Sequence, residues 1–134
     1  MKNTKFGNTT INEKIELARQ GYELKVLAND ESPIVRLQVL KQGYNVQGFL
    51  RDEDPDVSSY AKKLKDAKVY VVARDFGKYV GNVYLYIWEN KYEIRSGFYK
   101  FTSLEKWEQK YKKELGIKAV EGTAKKIASL IKSA

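Results

Sequence analysis

The chain contains no cysteine and no histidine in 134 residues. Disulfides, thiolate nucleophiles, imidazole bases, Cys/His zinc sites and histidine-based triads are therefore excluded. The lack of disulfides fits a reducing compartment, and a cytoplasmic location is expected. Long apolar runs are also missing. No stretch approaches the roughly 18 residues of a membrane span, and Met1 to Thr10 is polar, so neither a transmembrane helix nor a signal peptide is expected. There is no glycine-rich phosphate loop and no Gly-x-Ser-x-Gly elbow. Arginine is scarce, 5 against 20 lysines. With frequent Asn, Ile and Tyr, that bias matches AT-rich codons and points to an AT-rich bacterial or phage source. The two prolines are confined to two equivalent turns.

Those turns belong to an internal repeat. Gln20-Gly21-Tyr22 returns 22 residues later as Gln42-Gly43-Tyr44, and Asp30-Glu31-Ser32-Pro33-Ile34-Val35 returns at the same offset as Asp52-Glu53-Asp54-Pro55-Asp56-Val57. A fixed period of this length marks stacked units, each burying its apolar face on the next. Ser32-Pro33 and Asp54-Pro55 place an N-cap side chain before a proline at the first helical position. The helix from Pro33 is expected to bury Ile34, Val35, Leu37 and Leu40 and to stop at Gly43. A short helix, Tyr44 to Leu50, follows. Thr10-Ile11-Asn12-Glu13 is a capping box that opens a truncated first copy ending at Gly21, with a loose arm over residues 1–9 before it.

The pattern of helix, Gly-Tyr, short helix and Asp-Glu-x-Pro turn resembles the HEAT-like and leucine-rich-repeat-variant families over residues 12–65. The Val35-Arg36 helix start matches those families, and Val57-Ser58 lacks the Arg. The resemblance implies a binding scaffold and names no ligand.

After residue 66 the period changes. Val69 to Ala73, Val83 to Trp88 and Tyr92 to Ser96 read as strands, the last ended or continued by residues 97–101. Asp75 to Asn82 reads as a longer turn or bulged connection, and Glu89-Asn90-Lys91 as a tight turn. Thr102-Ser103-Leu104-Glu105 reads as a second capping box. Leu104, Trp107, Tyr111 and Leu115 form one apolar helical stripe, stopped by Gly116. Residues 117–121 are ambiguous, and a last helix begins at Thr123. The expected fold class is α+β: a short helical-repeat array, residues 1–66, packed on a three-stranded antiparallel meander followed by two helices (βββαα), residues 67–134. The link from Leu64 to Val69 is short, so one continuous core is expected, with the helix of residues 56–65 against the meander.

Net charge is +8 and uneven. Residues 1–66 carry 11 basic and 10 acidic groups, and residues 67–134 carry 14 and 7. The second region therefore suits a negative partner, or simply a lysine-solvated surface. On the central strand Tyr84, Tyr86 and Trp88 share one face, opposite Val83, Leu85 and Ile87. That aromatic face is either covered, as in a sandwiched sheet, or an open stacking platform with Lys91, Arg95 and Lys100 near enough to hold phosphates. Lys106, Lys110 and Lys113 form a stripe on the following helix that could track a phosphate backbone or an acidic protein surface; interspersed Glu105, Glu108 and Glu114 favour a solvated face. Asp52 to Asp56 lacks the spacing of a calcium loop and reads as a repeat turn. Asp75 with Glu89-Asn90-Lys91 imitates a magnesium nuclease pattern, but its glutamate and lysine fall in a turn.

No cofactor, no metal and no enzymatic activity are implied. The expected function is protein binding, with a nucleic-acid-binding enzyme as one candidate partner and direct nucleic-acid binding as the alternative. In size and style the chain resembles small mobile-element inhibitors of bacterial defence nucleases (anti-CRISPR-like proteins), without a shared motif.

Overall fold

The computed structural model describes residues 9–77 and 80–134. The expected arm at residues 1–9 lies almost wholly outside them, as do Lys78 and Tyr79 of the first strand connection. The chain divides into two compact units, Met1–Lys65 and Asp66–Ala134.

The first unit is helical: α1 (Ile11–Arg19), α2 (Leu24–Leu27), α3 (Pro33–Lys41), α4 (Val46–Phe49) and α5 (Pro55–Leu64). The 22-residue period is a structural period. The N-caps Thr10, Ser32 and Asp54 recur at it. Gly21 and Gly43 both take left-handed φ, 82° and 86°, and Glu23 and Asn45 follow at 56° and 53°. After α1 the Tyr22 amide donates to the Leu17 carbonyl and the Gly21 amide to Ala18, the two bonds of a Schellman stop. Buried side chains recur likewise: Ala18 with Leu40, Leu27 with Phe49, Val35 with Val57, and Val39 with Ala61.

Three local expectations are corrected in this unit. Ile34 is 59% exposed, because Val35, Val39 and Leu40 define the buried stripe of α3 and Ile34 lies about 100° away from Val35. Ser32 makes no side-chain capping bond. The Asp30 carboxylate accepts the Ser32 amide instead, at 3.0 Å. The short second helix is confined to Val46–Phe49, since left-handed Asn45 cannot belong to it.

The second unit is a sheet with two helices on it: β1 (Lys68–Ala73), β2 (Val83–Ile87), β3 (Tyr92–Ser96), β4 (Tyr99–Phe101), α6 (Leu104–Leu115) and α7 (Ile117–Ser133). The strands are antiparallel, in the order β1-β2-β3-β4. There are four strands where three were expected. Gly97-Phe98 is a hairpin turn between paired Ser96 and Tyr99, so residues 99–101 run back as a separate strand. Gly97 has φ 58° and is the only one of the two turn residues with positive φ, the glycine-first form of a two-residue turn.

Register and alternation fix the faces. Val83, Leu85, Ile87 and Ile94 pack with Trp107 and Tyr111 of α6 and with Val120, Ala124 and Ile127 of α7. The indole Nε1–H of Trp107 donates to the Ser96 hydroxyl at 2.8 Å, which satisfies two buried polar groups at once. At the start of α6 the cap is Ser103, whose hydroxyl accepts the Lys106 amide, so Thr102 opens no capping box. Helix α7 begins directly after Gly116, whose φ of 91° breaks the chain direction. Residues 117–121 are therefore helical, and the last helix starts six residues before Thr123.

Candidate functional site

The expected binding residues fall in three places. The first is the sheet face opposite α6 and α7. In cross-strand register Tyr84 stands beside Arg95 and Arg95 beside Lys100, while Tyr86 stands beside Glu93. Tyr84 is 9% exposed and Tyr86 0%, so neither offers a ring face to a base, and of the two alternatives for this face the open stacking platform fails at both residues. The two rings stack on each other at 6.2 Å, and the Asn82 amide donates to the Tyr84 hydroxyl at 3.2 Å. Arg95 pairs with the nearly buried carboxylate of Glu93 at 3.3 Å. Lys100 is exposed on the edge strand, where a lysine also discourages pairing with a further strand.

The second place is the far end of the sheet. Trp88 is half-buried, meets Tyr86 edge-on, and carries the Lys91 ammonium 4.8 Å above its ring. A shallow groove there is lined by Lys68, Trp88, Lys91, Tyr92 and Ile131.

The third place is α6, which packs on the other face of the sheet from Arg95 and Lys100. Lys110 is bound to Glu114 at 2.6 Å and lies 4.2 Å above the Tyr99 ring. The hydrogen bond to Glu114 raises the affinity of Lys110 for its proton. Lys112 pairs with Glu108 at 3.0 Å. Lys106 and Lys113 are exposed, with no carboxylate in ion-pair range among the described residues. The nine expected residues thus do not form one surface. Alternation places Arg95 and Lys100 on one side of the sheet and the α6 lysines on the other.

Sequence reasoning missed Phe98 and Tyr99. Phe98 is fully exposed at the β3–β4 turn and Tyr99 is half-exposed beside it. The signal was Ser-Gly-Phe-Tyr, a Gly-X hairpin turn within residues that end or continue the third strand in the sequence reading.

The acidic turns of the first unit are occupied by the repeat itself. The Lys14 ammonium meets Asp30 at 2.8 Å. One period on, the Arg36 guanidinium grips Asp52 through two hydrogen bonds of 2.9 and 3.0 Å and donates to the Asp30 and Glu31 carbonyls. Asp52 also accepts the Asp54 amide, and Asp54 caps α5. The Arg36 hydrogen bonds hold the Asp52 carboxyl below its usual range and raise the arginine further. The third equivalent position is Ser58, which ends this ladder of pairs.

Among the described residues no three carboxylates gather to hold a metal ion. Asp75 follows the end of β1 that pairs with Val83, while Glu89 follows the opposite end of β2. Five strand residues separate the two ends, roughly 17 Å, too far for one shared cation. No helix among the described residues is long and apolar enough to cross a membrane. Comparisons with protein-family models, curated proteins and solved structures find no match to this chain.

Proposed function

We propose that the chain is a non-enzymatic, cytoplasmic protein-binding module whose first unit is a HEAT-like scaffold. One observation carries this reading. The repeat keeps its buried positions and its turns in the same places from copy to copy, yet holds Tyr22, 63% exposed, just after α1 and Ile34, 59% exposed, on α3, out in water. A large apolar side chain that folding does not bury is available to a partner. Their equivalents differ: Tyr44 is half-buried, and the residue one period after Ile34 is exposed Asp56. The buried positions thus repeat while the outward position of Ile34 changes to Asp56, the kind of variation by which repeat arrays present a binding surface. The lysines of the second unit suit a partner with an acidic or nucleic-acid-binding groove. A bacterial nuclease obstructed by a mobile-element inhibitor is the concrete version of this reading.

The test is affinity capture with the full chain from a bacterial lysate treated with nuclease. A stoichiometric protein is expected to co-elute, and Tyr22→Ala with Ile34→Ala is expected to weaken its binding at least tenfold. Recovery of no stoichiometric protein, or binding indifferent to both substitutions, overturns the reading.

A further inference from the structure

The β3–β4 turn carries a residue that its own folding does not ask for. A two-residue turn with glycine first requires positive φ at Gly97 and leaves the next position open to small polar residues. Phe98 occupies that position and is fully exposed. Below the turn, Tyr99 is held by Lys110, 4.2 Å above its ring, and lies 6.3 Å from the ring of Phe101. The base of the hairpin is therefore fixed, and the ring of Phe98 projects from a supported platform.

Around the turn Lys110 and Arg95 are already paired, with Glu114 and Glu93, and Glu105 adjoins Lys106. Lys100 stands beside Arg95 in the sheet register, and Lys106 lies on α6 one helical turn before Lys110, the residue that covers Tyr99. Neither Lys100 nor Lys106 has a carboxylate in ion-pair range among the described residues. We propose that this hairpin is a contact for single-stranded nucleic acid, with Phe98 stacking on a base and Lys100 and Lys106 neutralising phosphates on either side.

Two features favour this occupant over an acidic protein. A protein docking surface has a contiguous apolar core with the charges at its rim. Here the exposed apolar material is one isolated ring beside a tyrosine whose face is already shared with an ammonium. A lone ring among unpaired lysines fits a base and its phosphates, because every base has a π-face and the flanking charge is negative. An open single strand is required, since a stacked duplex offers no free base to the ring. The proposal concerns a different unit from the protein-binding reading and does not depend on it.

The experiment measures binding of the full chain to labelled single-stranded oligothymidine, to a duplex of the same length and to polyglutamate, as a function of salt. At low salt, about 50 mM, the single strand is expected to bind more tightly than either competitor. Phe98→Ala is expected to lower that affinity about tenfold or more, and Phe98→Trp to retain it. Lys100→Gln and Lys106→Gln are each expected to reduce the slope of log affinity against log salt by about 0.7. Phe98 lies outside the core, so the alanine variant should melt with the wild type. The proposal is overturned if the wild type does not bind oligothymidine at low salt, if Phe98→Ala binds it unchanged, or if polyglutamate binds as tightly as the single strand. Each of these outcomes leaves the protein-capture result unaffected.

Discussion

The two units use charge differently. In the first, charged groups turn inward on the repeat: Lys14 on Asp30, Arg36 on Asp52, Asp54 on its own helix. In the second, the links that tie the helices to the sheet are neutral, Trp107 to Ser96 and the Leu104 amide to the Tyr92 hydroxyl, beside a charged pair on the other sheet face, Arg95 with Glu93, while many lysines remain on the surface. Basic and acidic groups nearly balance over residues 1–66, and basic groups exceed acidic ones by seven over residues 67–134. Internal pairing consumes charge in matched amounts, and a surface cation needs no partner within the fold. A sequence-level charge asymmetry can therefore report where a fold spends its charges as well as what it binds.

The largest effect that would sharpen this contrast is expected at Trp107. Its indole is fully buried, meets Phe76 and Tyr111 at centroid distances of 5.4 and 5.5 Å, and holds Ser96. Trp107→Ala is expected to cost about 3–5 kcal/mol in urea unfolding, through the cavity and the lost contacts. Ser96→Ala leaves the buried indole N–H without its acceptor and is expected to cost about 1–3 kcal/mol. If Ser96→Ala were neutral, the neutral link would not be supporting the second unit.

The matching experiment on the first unit breaks its charged link. The side chains of Arg36 and Asp52 are 12% and 8% exposed, and those of Lys14 and Asp30 are 18% and 11%. Asp52→Ala strands a largely buried guanidinium and is expected to cost about 3 kcal/mol, at the low end for a broken buried pair. Asp30→Ala is expected to cost less, because a lysine reaches water more easily than a forked guanidinium. The same pair sets a pH dependence. The folded-state pKa of Asp52 is depressed, so its contribution is fully present above the unfolded carboxylate value, about 4. It is lost as pH falls through the lower folded value. Stability should therefore drop below about pH 4, and Asp52→Asn should flatten that part of the profile. Urea midpoints measured from pH 7 downward test both statements, and an unchanged slope in Asp52→Asn would remove the pair as the cause.

Much of the first unit was legible because its signals are local and repeated. Gly21 and Gly43, Pro33 and Pro55, and the caps at Thr10 and Asp54 each act within one turn of chain, and a 22-residue echo makes each copy a check on the other. Ile34 was misread because Ile34 and Val35 are adjacent apolar residues, and one position of helical rotation decides which is buried. In the second unit the stripe of Leu104, Trp107, Tyr111 and Leu115 was legible, since helical period alone defines it. The start of α7 was not. Gly122 interrupted the apparent pattern, although Val120, Ala124, Ile127 and Ile131 continue a single i, i+4, i+7, i+11 stripe through it. The binding candidates were read least well. Whether Tyr84 and Tyr86 are buried depends on packing distant in sequence, and a single glycine in a three-residue context hid the turn that exposes Phe98.

A smaller effect is expected at the glycine stops. Gly43→Ala places a Cβ at φ 86° and is expected to destabilise by about 1 kcal/mol or somewhat more. Gly21→Ala, at φ 82° in the preceding copy, should cost the same within error if the copies are structural equivalents. A difference much beyond 0.5 kcal/mol between the two in urea unfolding would break the equivalence on which the repeat reading rests.

The smallest expected effect has the opposite sign. Gly122 lies in the interior of α7 without positive φ, and an added Cβ there meets no atom within 4 Å. Nothing in the fold uses its missing side chain, so it contributes only excess freedom to the unfolded chain. Gly122→Ala is therefore expected to stabilise the protein by about 0.5–1 kcal/mol, the helix-interior difference between the two residues. The exposed face of α7 should be unchanged, so oligothymidine binding by the β3–β4 hairpin should not move with it. Gly43 and Gly122 differ in backbone conformation and not in residue type, so paired melts of the two alanine variants separate a glycine that shapes the chain from one that merely weakens it. A destabilising Gly122→Ala would mean that the α7 surface at this point is covered, and the assignment of that face to solvent would fail.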